Sequence, residues 1–282
     1  MADATLTGLG PTRRSRGFFI AGLVVVGALA AVAAAAPWLT AYDPAAIVVD
    51  TYRGPLPPGG GHPFGTDTLG RDVWSRLVYG ARTSLFVGGL AMTLSLAIGM
   101  TAGLVAGYFG GLIDAGLMWL VDLVLTMPSL LLMIVLATVL PPSILTIPLV
   151  IGVLGWTTFA RTVRGEVLTL RELEYIQAAR ALGAWHARII LRHLLPGVVP
   201  GVVVLAALGM SGAIVVDAGL SYLGLGVPLP TPSWGRMVSD AQTYLAVAPW
   251  LVVAPGISIA LAVIGFNLIG YGLIDLVRGR RA

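Results

Sequence analysis

The sequence predicts an all-α integral membrane protein with six transmembrane helices. Three observations carry that expectation: a composition too poor in charge for a soluble globule, six apolar runs of membrane-spanning length, and an uneven placement of arginine. Of 282 residues, 57% are hydrophobic and only 11% are charged, with a mean hydropathy of +0.92. A soluble domain carries about 25% charged residues. So few charges cannot coat a water-soluble surface of this size, so lipid must solvate much of it. The chain has no cysteine, which excludes disulfides, thiolate catalysis and Cys-ligated metals. It has no lysine either, since all 17 basic residues are arginine. A P-loop needs its lysine on the nucleotide phosphates, so this chain carries no such ATP site.

The apolar runs cover 18–39, 84–107, 116–140, 144–160, 198–220 and 250–274. Each is near the roughly 20 residues that cross a hydrocarbon core of about 30 Å, and the fourth is the shortest. Alternation of period two is absent, and Ala, Leu, Val and Gly dominate, which favours helices over a barrel. Arg13, Arg14 and Arg16 before the first run, and Ala33 to Ala36 near its end, also resemble a signal peptide. The run is long for a signal core, however, and Pro37-Trp38 reads as an interfacial end, so a retained helix is expected.

The arginines orient the chain. With both termini in the cytoplasm, twelve lie inside: three in the tail 1–17, six in the segment 161–196, and Arg278, Arg280 and Arg281. Five lie outside: Arg53, Arg71, Arg76, Arg82 and Arg236. That bias follows the positive-inside rule. The net charge of +4 therefore reflects topology, not a basic face for nucleic acid.

Two polar segments interrupt the spans. In the outer loop 40–83, Pro57-Pro58-Gly59-Gly60-Gly61 reads as irregular. Helical spacing begins at Asp72, with Val73, Leu77 and Val78 on one face, Trp74 beside them, and Arg76 placed to pair with Asp72. Two readings stay open: a short helix at the outer interface, or a solvated helix start capped by Asp67 or Thr68. In the inner loop 161–196, one short helix is expected over 172–182 and a second over 184–195, broken by Gly183 and stopped by Pro196. Arg188 and Arg192 form a basic edge, and Trp185 and Ile189 an apolar one. Such a knob either is gripped by a partner or rests on lipid headgroups.

Few side chains invite chemistry. A carboxylate inside a bilayer costs several kcal/mol unless paired, hydrated or protonated. Asp217, late in the fifth run, and Asp122, early in the third, are therefore candidates for the path or a gate. For Asp122 an interfacial carboxylate paired with a neighbour is the favoured reading; for Asp217 the two stand even. Asn267 is placed to hydrogen-bond between helices. Met127-Pro128 frees a backbone carbonyl and marks a bend, as a static kink or a hinge. Gly22, Gly103 and Gly107 are positions for close helix contact. His62, His186 and His193 make no metal spacing, and no Gly-x-Ser-x-Gly occurs. Nothing here supports an enzyme.

Gln177-Ala178-Ala179, then Gly183, then Ile189 and Leu195-Pro196 resemble the EAA motif of ABC importer permeases. Three further stretches resemble the dipeptide, oligopeptide and nickel permease group more narrowly. They are Gly65-Thr66-Asp67-Thr68-Leu69-Gly70-Arg71-Asp72; Leu220-Ser221-Tyr222-Leu223-Gly224-Leu225-Gly226 with Pro232-Ser233-Trp234-Gly235; and Pro255-Gly256 with Phe266-Asn267-Leu268. The matches run in order from about residue 62 to the C-terminus.

The resemblance implies a type I ABC importer permease fold, with a core over 84–282. It makes Gln177, Ala178, Ala179, Arg180, Gly183 and Arg188 the coupling surface for an ATPase subunit; Asp217, Asn267, Asp122 and Met127 stay the candidates for the translocation path or its gate on the physical grounds above. It implies a homologous second permease, two ABC ATPase subunits that use ATP and Mg, and an extracytoplasmic binding protein, with no cofactor on this chain. Peptides are the expected cargo, with nickel chelates or another small solute as the alternative. The sequence also departs from the pattern. Gln177 replaces a usual Glu, Asp217 a common Glu, and Gly270-Tyr271-Gly272 a Gly-Asp-Gly; Trp119 stands near Asp122 where Arg is frequent, removing that pairing. Two other classes compete. A secondary transporter is expected to show repeats around a midplane site, and none is visible. A membrane scaffold or membrane-embedded enzyme leaves the 161–196 knob without a purpose.

Overall fold

A computed structural model describes residues 13–49 and 54–278. The tail 1–12, Arg53, Arg280 and Arg281 lie outside the described residues. Eleven α-helices run through these residues: α1 (Arg13–Ala34), α2 (Ala36–Leu39), α3 (Val73–Phe109), α4 (Gly111–Thr126), α5 (Ser129–Val139), α6 (Thr146–Leu170), α7 (Glu174–Ala181), α8 (His186–Ile189), α9 (Leu195–Tyr222), α10 (Trp234–Ala241) and α11 (Trp250–Arg278). Five are long and apolar enough to cross a membrane, and α4 with α5 make a sixth if that pair counts as one span. The pair is bent by 88° at Met127-Pro128, where Met127 is extended, with ψ 138°. Proline disfavours helical geometry in the residue before it and cannot donate to the turn behind.

Several helices overrun the apolar runs that announce them. No separate interfacial helix follows the outer loop. Val73 opens α3, whose 37 residues make a rod of about 55 Å, well beyond the hydrocarbon thickness. Gly80 is the weakest helix former near its start and does not break it. The cap is Asp72, which accepts from the Ser75 N–H, rather than Asp67 or Thr68. At its C-terminal end α6 continues to Leu170, so residues 161–170 belong to the helix and not to a loop.

Pro196 does not stop the knob's second helix. The chain passes from α8 through a π-helical turn, Ile190–Leu194, directly into α9, with Pro196 in the first turn of α9. In a regular helix the proline ring would strike the carbonyl four residues back. Here the Leu195 N–H reaches the Ile190 carbonyl, five residues back, and this wider turn accommodates the ring.

Small residues set the closest packing. Along α3, Gly99, Gly103 and Gly107 face α6: a Cβ on Gly103 would stand 2.6 Å from the Ala160 carbonyl oxygen, and one on Gly107 2.7 Å from Val167. Gly22 of α1 meets Gly265 and Ile269 of α11 in the same way. With no hydrophobic force between helices in lipid, such backbone approach is what holds spans together. A core of Val87, Ala91, Ile147, Ile151, Ala213 and Leu220 joins α3, α6 and α9.

Candidate functional site

Three regions along α3 carry the candidate residues: a knob at its C-terminal end, a cavity beside its middle, and a cap at its start. In the knob, α7 ends in a Schellman turn. The Gly183 N–H bonds the Arg180 carbonyl and the Ala184 N–H bonds the Ala179 carbonyl, with Gly183 in the left-handed region at φ +80°. That geometry favours glycine and reverses the chain into α8. Ile176, Ile189 and Leu194 are completely buried against Leu104, Tyr108, Val163 and Val167. These contacts seat the knob on the ends of α3 and α6. Its other side is open: Gln177, Ala178, Arg180, Gly183 and Arg188 are exposed, Ala179 half-buried. Leu182 is 89% and Trp185 69% exposed. Gln177 Nε2 donates to the Glu172 carbonyl at 3.0 Å, an internal bond that a carboxylate could not make in place of the amide.

The membrane-embedded polar residues are scattered. Asp122 on α4 is ion-paired with Arg161 of α6, and both side chains are more than half exposed. Trp119 offers Asp122 no cation, and its arginine partner comes from another helix instead of the preceding residues. Asp114, at the start of α4, pairs likewise with Arg164, with Nη2–Oδ2 at 2.7 Å. Asn267 of α11 accepts from Ser211 Oγ of α9 at 3.0 Å. Met127 is exposed at the α4–α5 bend. Asp217 is 1% exposed. Ser221 Oγ lies 3.5 Å from its Oδ1, and its Oδ2 has no hydrogen-bond partner among the described residues.

None of Asp122, Met127, Asp217 and Asn267 lines the cavity between α3, α5, α6 and α9. That space, about 340 Å³, is bounded by Met92, Ser95, Met133, Thr158, Phe159 and Gly209 among others. It carries hydroxyls and thioethers but no charge. Sequence reasoning missed it, because single Ser, Thr and Met residues inside apolar runs read as ordinary packing; only the fold shows that they face one space.

The cap unites two stretches far apart in sequence. Gly65 (φ +72°) and Gly70 (φ +74°) turn the chain, and Thr66 Oγ1 accepts from the Leu56 N–H at 3.0 Å. Asp67 accepts from the backbone of Leu69 and Arg71, each at 2.9 Å, and from Arg71 Nε at 2.7 Å. Arg76 does not pair with Asp72. It reaches Asp67 at 3.3 Å and Asp240 of α10 at 3.5 Å. The Asp72 carboxylate is already engaged, bonding the Ser75 N–H at 2.7 Å and His62 Nδ1 at 2.9 Å. Asp240 also takes Arg71 at 3.5 Å and Arg236 at 2.9 Å. Ser233 caps α10, and Trp234 donates from Nε1 to the Leu77 carbonyl and from its backbone to Ser84 Oγ. Arg71 and Arg76 are nearly fully buried, and their two carboxylate partners offset that desolvation.

Residues 99–282 match the family described as binding-protein-dependent transport system inner membrane component. The chain belongs to that family. This permease is 43% identical to the dipeptide transport system permease protein DppC of Alkalihalophilus pseudofirmus, over 91% of its own length and 84% of that protein's. It is 39% identical to the oligopeptide permease protein OppC of Bacillus subtilis, over 93% and 85%. It is 37% identical to the nickel permease protein NikC of Escherichia coli K12, over 90% and 91%. Its fold is shared with a chain of the inward-facing MetNI methionine ABC transporter, at a TM-score of 0.55 and 20% identity, covering 72% of the permease and 95% of that chain. The expected type I ABC importer permease fold is thus the observed one. The family match also makes the permease a multi-pass membrane protein whose relatives are transport subunits, not enzymes.

Proposed function

We propose that the permease forms half of the channel of an ATP-driven importer of di- or oligopeptides, driven through its knob by ATPase subunits that bind ATP and Mg. The observation that carries this reading is the division of the knob into two faces. Ile176, Ile189 and Leu194 are sealed against α3 and α6, while Leu182, Trp185, Arg180 and Arg188 are offered outward. A helix pair so firmly seated and so openly apolar on its far side suits a protein groove better than a headgroup layer. Closing ATPase subunits would push on Gln177, Ala178, Ala179 and Gly183 and rock α3, α6 and α9 between inward-open and outward-open states.

The peptide assignment is supported by the dipeptide and oligopeptide relatives at 43% and 39% identity and by a cavity without charge, suited to side chains of varied character. A nickel chelate is the second reading, favoured by the 37% relative. A homologous second permease would complete the channel, and an extracytoplasmic binding protein would deliver cargo to the cap side. With the knob at the cytoplasmic face, α3 would run inward from the cap and both termini would be cytoplasmic. Affinity purification in mild detergent is the test. The permease is expected to bring down P-loop ATPases, and a chain that purifies without them from its own host would contradict the reading.

A further inference from the structure

The knob is tied to the permease by a contact that none of the motif residues supplies. The last turn of α3 carries Tyr108 and Phe109. Tyr108 is 6% exposed, and its hydroxyl lies 2.7 Å from Nδ1 of His186, the first residue of α8. Arg180 of α7 sits over the same ring, with its guanidinium carbon 5.4 Å from the centroid. Phe109 packs edge-on against Tyr108 at 5.0 Å and meets the His186 ring at 5.7 Å. One residue before Tyr108, the Gly107 carbonyl accepts from Arg171 Nη1, just past the end of α6, at 2.8 Å. A single turn of α3 thus receives α6, α7 and α8 together.

These contacts differ in kind. Ring packing and the cation over the Tyr108 face tolerate sliding, since neither fixes a direction closely. The bond between Tyr108 Oη and His186 Nδ1 has a defined length and direction. Side chains that join two rigid elements carry displacement from one to the other. α3 is such an element: unbroken from Asp72 to Phe109, it lines the cavity with Met92 and Ser95 and holds the cap through Arg76.

We propose that Tyr108 is a positioning residue that delivers the knob's movement to α3 through its bond to His186. The inference rests on the coupling role proposed above. α6 and α9 are moved by their chain connections to the knob; α3 has no such connection and follows through its packing on α6, with this latch fixing its position relative to α8. Without it, the knob still docks and ATP is still hydrolysed, but α3 lags and cycles are wasted.

The test uses the whole reconstituted complex, with both permeases, the ATPase subunits and the binding protein, in proteoliposomes. The quantity read is ATP hydrolysed per peptide accumulated. Tyr108→Phe keeps the ring and its packing and removes only the hydroxyl. It is expected to raise the ratio about fivefold, the scale of one net hydrogen bond, with ATPase co-purification at wild-type yield. His186→Asn places an amide where Nδ1 was and is expected to keep the wild-type ratio. His186→Gln places its amide near the Nε2 position and is expected to behave like Tyr108→Phe. An unchanged ratio in Tyr108→Phe, or His186→Asn as wasteful as His186→Gln, overturns the latch. Uptake by the wild-type complex without ATP would instead overturn the coupling role itself, and the latch with it.

Discussion

Asp240 shows how much a single side chain does in the cap. Its carboxylate collects Arg71, Arg76 and Arg236 from two segments, and two of those cations are buried. Removing one partner from buried charges is costly because the remaining charge keeps its desolvation penalty. Asp240 is about one-fifth exposed, and Asp67 still serves Arg71 and Arg76, so water and the second carboxylate soften the loss. Asp240→Asn is expected to destabilise the detergent-solubilised permease by about 2 kcal/mol, read as a lower thermal midpoint; an unchanged midpoint would show that Asp67 suffices. The sequence marks Asp67, Arg71 and Asp72 as a motif, but it pairs Arg76 with Asp72 because i, i+4 spacing is all that a linear reading offers. Which carboxylate an arginine reaches across the fold is decided by packing. The same holds for Asp122, whose partner Arg161 comes from α6. Gln177 is a third case: a departure that removes a charge makes an internal bond to the Glu172 carbonyl.

Among the helices, existence was legible and extent was not. Hydropathy finds the spans because lipid demands about 20 apolar residues, yet α3, α6 and α9 run on through polar stretches once arginines find carboxylates and the π turn accommodates Pro196. The break at Met127-Pro128 was legible in position, not in size. The knob's reversal at Gly183 was legible in both, because a left-handed residue after a helix leaves a glycine signature. A Cβ at Gly183 would meet no atom within 4 Å, so a substitution there acts through backbone strain, on the order of 1–2 kcal/mol for a non-glycine residue, and through bulk on the outward face. Gly183→Val is expected to insert and fold but to uncouple, with ATP hydrolysis persisting and uptake falling tenfold or more. Gly183→Asn, which tolerates the left-handed region, is expected to keep most uptake. Equal uptake by Gly183→Val and the wild type, measured in vesicles, would count against the knob as the coupling point.

The molecule as a whole is organised along α3, which spans cap, cavity and knob without a break. On the proposed coupling role, the exposed Leu182 and Trp185 of the knob are where a partner's movement would enter this arrangement. The cavity was illegible in the sequence because its lining is drawn singly from α3, α5, α6 and α9, and no local pattern gathers such residues. The most direct test of the account is uptake of a labelled dipeptide into proteoliposomes holding the purified complex, with binding protein outside and either ATP inside or an imposed ion gradient alone. Accumulation only with ATP is the predicted result; accumulation driven by the ion gradient in the absence of ATP would contradict it.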